Sequence, residues 1–499
     1  MKIKSDYLDN LGEDFFALQN PEQVRNPDLL VFNDELAKEI GFEKLLSKGD
    51  DLVQILSGNK LINSSKPLAM AYAGHQFGHF VPSLGDGRAV LLGEIENDGR
   101  LLDLALKGSG KTYFSRGGDG KCPLFSAVKE YLFSEFLHYL GVKTTRSLSV
   151  VKTDEIVLRQ DGPEVAAVIS RVSRGHIRIG TLQYFAARRD LKNVKKLADY
   201  AINRHYPDCH KVKDPYFEFF KEVSRAQIDL IASWMSFGFI HGVMNTDNIL
   251  ICGETIDFGP CAFMEKFNRS QVFSSIDKYG RYAFDQQKQI IIWNLTRFAE
   301  SILRLICDGD DDADVEKSIT LIENELVKLS ESFDEIYYSK MAKKIGIFDF
   351  KEEDRVLIDD FLDILEENEL DFTNAFRSLL GFLKGEDFVV DGKILNGKNS
   401  DFDDWSLRLK ARLDLEKEQG DHLDAQINEI TQKMNAANPS FTLRNYMVIK
   451  IANQVVSGDL SEFEELLEAI KKPFTNKIDP KYSRVADKKE QSLRTFCGT

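Results

Sequence analysis

Alternating apolar runs and helical spacings divide this chain unevenly. Residues 1–65 read as an N-terminal segment, within which Asn33–Ile40 combines an N-cap asparagine, helical spacing and a stop glycine at Gly41. From 66 to 180 the pattern is β-rich. Ala89–Ile95 and Leu101–Leu106 are β-like runs, and Asn97-Asp98-Gly99 between them is a hairpin signal. Phe125–Leu140 carries apolar residues at helical spacing and stops at Gly141, while Leu148–Val151 and Ala166–Ser170 read as further strands. Beyond 180 helices dominate. Phe217–Phe237 is a strong helix, followed by two small β runs around Ile249–Ile251 and Thr255–Ile256. Gln289–Ile306, Val315–Leu329, Arg355–Leu365, Asn445–Val456 and Glu462–Ile470 continue the helical pattern. The expected units are the N-terminal segment, a β-rich lobe at 66–180, a helical lobe at 181–300, a helical extension at 301–475 and a tail at 476–499. The fold class is α+β, with a small β-rich lobe, a large α-helical lobe and no internal repeat.

Composition narrows the function classes. With 65 Lys+Arg against 80 Asp+Glu the net charge is -15, which excludes broad coating of nucleic acid. A locally basic pocket for a small anion is compatible with it. No apolar run approaches the roughly 18 residues of a membrane span, and Met1–Asp6 leads into acidic residues, so neither membrane insertion nor a signal peptide is expected. The six cysteines form no CxxC pair, so neither a disulfide framework nor a zinc site is expected, and the compartment reads as reducing and cytoplasmic.

Several motifs carry chemistry. In Ser83–Arg88, glycines precede a strand; they can bring backbone N–H groups to phosphate oxygens, with Arg88 adding a charged fork, or form a plain β-turn. Gly110-Lys111-Thr112 fails as a phosphate-binding loop because the glycine required five residues earlier is Ala105. Lys107, at the end of an apolar strand, and Glu130, on the next helix, fit instead the lysine–glutamate pair of a kinase β lobe. The sharpest signal is His241–Asn248 followed by Asp257-Phe258-Gly259, which matches the kinase catalytic loop and metal-binding triplet. Asn248 and Asp257 then supply oxygen ligands for Mg²⁺ or Mn²⁺. The kinase base should stand two residues after the histidine, where this chain has Val243. Either the site only binds nucleotide, or the base has moved to Asp247. The acidic run at 308–314 lacks the glycine and glutamate of a calcium loop, since Ala313 and Ile319 stand there, and His75 and His79 have no third ligand nearby in sequence.

Taken together, Tyr72–Gly78, Gly85–Arg88, Leu106-Lys107-Gly108, Arg116–Gly120, Lys129-Glu130 and the 241–259 block resemble the selenoprotein O family over nearly the whole chain. The resemblance implies a protein-kinase-like two-lobe fold and a pseudokinase acting as a protein adenylyltransferase. ATP would sit inverted relative to a kinase, and AMP, or UMP from UTP in some members, would pass to Ser, Thr or Tyr hydroxyls of protein substrates with release of pyrophosphate. Gly85, Gly87, Arg88, Lys107, Asp119 and Gly120 match β-lobe nucleotide contacts, and Arg171 and Arg178 match two phosphate-holding arginines. Asp247 matches the proton acceptor, Asn248 and Asp257 the metal ligands, with Asp257 also among the nucleotide contacts, and Glu130 the partner that orients Lys107. The sequence departs from the family at Lys111 and at Lys121–Ser126, which flank the mapped contacts. Cys497 holds the place of the family's terminal selenocysteine or cysteine. A true kinase is disfavoured by Val243 and by the lack of an Ala-Pro-Glu motif after Asp257; a non-catalytic nucleotide-binding scaffold is the other alternative.

Overall fold

The computed structural model describes residues 2–490 apart from 48, 160–161, 308, 310, 416–419 and 488–489. Cys497 and two positions of the acidic run therefore lie outside the described residues. The strands of the first part are β1 (Phe16–Leu18), β2 (Asp28–Phe32), β3 (Leu68–Met70), β4 (Gly74–Gln76), β5 (His79–Val81), β6 (Ala89–Asn97), β7 (Arg100–Lys107), β8 (Cys122–Pro123), β9 (Arg146–Arg159) and β10 (Gly162–Ser173). An antiparallel sheet runs in the order β1-β3-β6-β7-β10-β9-β2, with β8 on β10, and β4–β5 form a separate hairpin. The β6–β7 turn is the expected one: Asp98 and Gly99 both have positive φ, 51° and 74°, which matches the twist of the flanking strands.

Alternation along the central strands sorts their side chains. Leu104 and Leu106 of β7 and Val168 and Val172 of β10 enter a core completed by Ile3, Leu36, Ile40, Phe42 and Leu56. Residues from 1–65 thus cover the outer face of the sheet, and β1 and β2 extend its two edges. Each fully buried Leu, Ile or Phe contributes roughly 1.5–3 kcal/mol, so this layer is firmly attached. The opposite parity, Ala105 and Ile169, joins the main core with Leu132 and Phe136 of α4 (Leu124–Tyr139, after α1 Asp6–Leu11, α2 Asp34–Glu39 and α3 Leu52–Leu56). Lys107 and Arg171 share that parity and therefore face α4.

The second part is helical: α5 (Ile179–Ala186), α6 (Leu191–His205), α7 (Pro215–Ser236), α8 (Gln287–Ile306) and α9 (Asp312–Lys344), followed by shorter helices that include Asn445–Ser457. α7, α8 and α9 pack on one another, and Asn445–Ser457 packs on α4 from the side away from the sheet. Among the described residues no helix is long and apolar enough to cross a membrane. The chain is a mixed α+β protein with a sheet-containing lobe and a helical lobe.

Three sequence expectations need correction. β9 and β10 are far longer than their apolar centres, because they go on pairing beyond the core through outer ends that mix polar residues with exposed Ile156 and Leu158. The runs at Ile249–Ile251 and Thr255–Ile256 are not strands; single bridges tie Leu250 to Arg178 and Thr255 to Thr144, and the local strand pair is Phe239–Ile240 with Ala262–Phe263. α9 continues past Leu329 to Lys344, since buried positions recur at helical spacing through Leu329, Phe333, Tyr337 and Met341.

Candidate active site

The sheet and α4 bring opposite charges together. β7 ends at Lys107, β10 places Arg171 opposite Ala105 in the ladder, and α4 offers Glu130. Lys107 Nζ donates to Glu130 Oε2 at 2.5 Å, and Arg171 Nη2 donates to Glu130 Oε1 at 2.6 Å. Asp257 joins from the helical lobe, accepting from Arg171 Nη2 at 2.9 Å, Arg178 Nη1 at 3.0 Å and Lys107 Nζ at 3.5 Å. Burial alone would raise both carboxyls, but Arg171 and Lys107 hold Glu130 below the usual range. The same two cations, joined by Arg178, outweigh burial at Asp257 and hold it well below the usual range. Asp257 has φ 64°, an uncommon backbone conformation for a residue with a side chain and a mark of local constraint.

The loop before Asp257 is pinned by its histidine. His241 is fully buried, stacks on Trp234 at 5.1 Å and bonds Ile256 O through Nε2 at 2.7 Å. Val243, where a kinase keeps its base, is buried, and its carbonyl accepts from Asn248 Nδ2 at 2.9 Å. That bond leaves Asn248 Oδ1 as the atom able to ligate a cation. Asp247 lies on the short turn Thr246–Asn248. Its main-chain oxygen accepts from Arg178 at 2.5 Å and its Oδ2 from Gln76 Nε2 at 3.2 Å, while Oδ1 is buried without a partner. Burial pushes the Asp247 carboxyl up to about 6.

Two residues that lie in the motifs above but were given no role by the sequence complete this centre. Asp86 is buried, accepts from Met70 N at 3.1 Å and stands 3.7 Å from Arg178 Nη2. The Tyr72 ring lies 4.6 Å from the Arg178 guanidinium carbon. Asp86, Lys107, Arg171 and Arg178 line a small cavity floored by Leu91 and Ala105. The glycine turns beside it are forced by close approach: a side chain at Gly85 would meet the Phe114 ring at 2.2 Å, and one at Gly120 would meet Gly110 O at 2.0 Å. Gly87 approaches Phe114 O, and the Arg88 carbonyl accepts from Gly108 N at 2.7 Å, placing both next to the end of β7. Asp119 is engaged elsewhere, with Arg159 Nη1 at 2.7 Å, and its side chain is 43% exposed. His75 bonds Gln183 at 2.8 Å, a structural role. Among the described residues no three His, Cys, Asp or Glu side chains gather to hold a metal by themselves.

Comparison with known sequences finds close likeness over this whole framework. A family profile described as "Protein adenylyltransferase SelO" matches residues 3–471. The protein nucleotidyltransferase YdiU of Rhodopseudomonas palustris (strain TIE-1) is 43% identical over 492 residues, 98% of this chain and 97% of its own. The protein of the same name from Bradyrhizobium diazoefficiens is 42% identical over 494 residues, again 98% of this chain and 97% of its own. The one from Clostridium perfringens (strain SM101 / Type A) is 41% identical over 499 residues, 100% of this chain and 97% of its own.

Proposed function

Since this chain belongs to the SelO family of protein adenylyltransferases and is a protein nucleotidyltransferase, we propose that it moves AMP from ATP to Ser, Thr or Tyr hydroxyls of proteins in a protein-kinase-like cleft, with UTP as a second donor. The observation that carries this reading is the paired placement of Val243 and Asp247. The kinase base position is apolar and buried, while the carboxylate four residues on sits in the polar centre with a free Oδ1. A scaffold that only binds nucleotide has no need of that carboxylate.

Each side chain then has a task. Lys107, Arg171 and Arg178 face the small cavity and would hold the terminal phosphates of an inverted nucleotide, stabilising charge on departing pyrophosphate. Glu130 keeps Lys107 and Arg171 aimed there. The Gly85–Arg88 turn and the Asp119-Gly120 turn border the nucleotide. Asp247 takes the acceptor hydroxyl's proton as the hydroxyl oxygen bonds the α-phosphorus; the bond from that phosphorus to the bridging oxygen breaks, and its electron pair leaves with pyrophosphate. Asn248 and Asp257 supply hard oxygen ligands, and with so few protein donors an Mg²⁺ or Mn²⁺ there would complete its shell with phosphate oxygens and water, as Mg²⁺ prefers. When bound, that cation neutralises phosphate charge.

The test is label transfer to acceptor protein from α-labelled and γ-labelled ATP in parallel, with Mg²⁺ and with Mn²⁺, and with α-labelled UTP alongside. Label moving only from the α position, and lost in Asp257→Ala, is the expected result. Transfer from the γ position would mean a kinase. Binding of ATP without transfer from either position would mean a scaffold.

A further inference from the structure

The hairpin β4–β5 takes no part in the roles assigned above, yet it is bolted to the loop that carries Asp247. His75 N donates to Thr246 Oγ1 at 2.8 Å, Gln76 Nε2 to Asp247 Oδ2 at 3.2 Å, and Phe77 N to Asn245 Oδ1 at 3.1 Å. Gln183 of α5 closes the ring, accepting from Thr246 Oγ1 at 2.6 Å and bonding His75 Nδ1 at 2.8 Å. Three consecutive hairpin residues, 75–77, thus bond three consecutive loop residues, 245–247.

The hairpin is built under strain to do so. Its two-residue turn is Phe77-Gly78, with φ 51° and 84°. A bulky aromatic in the left-handed region is disfavoured and persists only where its surroundings enforce it. Here the Phe77 ring is held edge-on to Tyr282 at 5.1 Å, and the Tyr282 hydroxyl donates to the same Asn245 Oδ1 at 2.5 Å. Packing beneath the carboxylate is equally tight. A side chain at Gly74 would stand 2.5 Å from Asp247 Oδ1, and one at Gly180 would meet Ala73 O at 2.1 Å.

We propose that this hairpin is a positioning element for the transfer reaction, in which Gln76 fixes the plane of the Asp247 carboxylate through Oδ2 and Gly74 leaves the room that Oδ1 occupies. The inference rests on the reading of Asp247 as proton acceptor. On a short turn an aspartate is free to rotate about its last bond; one directional donor sets that rotation and leaves the other oxygen for the acceptor hydroxyl. An amide does this without placing a full positive charge beside the carboxylate. Gln76 and Gly74 are positioning residues, since they act through Asp247.

The experiment measures α-label transfer by the full chain with ATP varied, for Gln76→Met, Gly74→Ala, Asp247→Asn and the double variant Gln76→Met/Asp247→Asn. Gln76→Met fills the space without the donor and is expected to lower kcat about 10- to 100-fold while KM for ATP stays within about twofold. Gly74→Ala should lose at least as much. The double variant should be no slower than Asp247→Asn, because residues acting as one unit are not additive. Gln76→Leu, which loses the donor without adding charge, serves if Gln76→Met melts early. Wild-type kcat in Gln76→Met beside an inactive Asp247→Asn overturns the positioning role alone. Losses that multiply in the double variant also overturn it, since Gln76 would then act elsewhere. An active Asp247→Asn overturns the proton-acceptor reading, and the inference falls with it.

Discussion

Two buried ionic clusters lie along β7, and they are built on different terms. In the first, Glu130 and Asp257 are met by Lys107, Arg171 and Arg178. In the second, Asp103 of β7 and Glu94 of β6 meet Arg204 of α6, which donates to Asp103 Oδ1 at 2.5 Å and lies 4.0 Å from Glu94. The carboxylates of the second cluster are also filled by the backbone. His176 N donates to Asp103 at 2.8 Å, while Asp6 N and Tyr7 N donate to Glu94 at 2.7 and 2.9 Å. In the first cluster every donor to Glu130 and Asp257 found among the described residues is a side-chain cation. A backbone donor cannot turn away without unfolding its segment, whereas a lysine or arginine can re-aim at an arriving phosphate. Buried charge satisfied by backbone is architecture; buried charge satisfied only by long side chains is available to a ligand.

That contrast can be broken, beginning with the largest expected effect. Lys107→Met should cut α-label transfer by about a thousandfold or more, since phosphoryl-type transfer depends on positioned charge. Its melting temperature should move little, and a collapse in stability with transfer intact would erase the distinction. Arg204→Met should do the reverse, lowering stability by about 3–5 kcal/mol because the buried Asp103 carboxylate, which Arg204 holds below its usual range, loses that cation. Denaturation read beside KM for ATP, which should hold, checks it.

A third buried charge sharpens the point. Lys344, at the end of α9, has no carboxylate partner among the described residues; it donates to Ala437 O at 3.2 Å and lies 4.8 Å from the Phe376 ring centroid. Burial pulls its ammonium down to about 7. Between that value and its ordinary range near 10.5 the unfolded chain holds a proton that the folded chain lacks. The cost of burying Lys344 is therefore full below about pH 7 and fades as pH rises toward the unfolded value. Lys344→Met should stabilise the chain by a few kcal/mol, on the order of 2–4, at pH 6 and by much less at pH 10. Denaturation at the two pH values measures the difference, and equal gains at both would mean that Lys344 keeps its proton in the folded chain across that range, undepressed by burial.

How much of this was legible in the sequence follows from distance along the chain. Lys107, Glu130, Asn248 and Asp257 announce themselves because a strand end, a helix turn and a loop each impose a local spacing. The β6–β7 hairpin is legible for the same reason. Asp86 was hidden among glycines that read as a turn, and its meeting with Arg178 depends on how the sheet faces α5. Gln76 is harder still: its partner is 171 residues away, and nothing at Gln76 itself marks a bond to a carboxylate. Helix α6 does carry a signal, with Asp190 accepting from Asn193 N as its N-cap and Val194, Leu197, Ala198 and Ala201 buried on one face. The strands at Phe239–Ile240 and Ala262–Phe263 carry none, because two residues have no period.

The burial of α4 has one more consequence. Every residue from Ala127 to Leu137 is buried, between the sheet on one side and Asn445–Ser457 on the other. An outward swing of α4 would part Glu130 from Lys107. Here that motion would have to peel away the C-terminal helices first. Amide exchange across α4 should therefore fall in the slowest class of the molecule, with or without ATP.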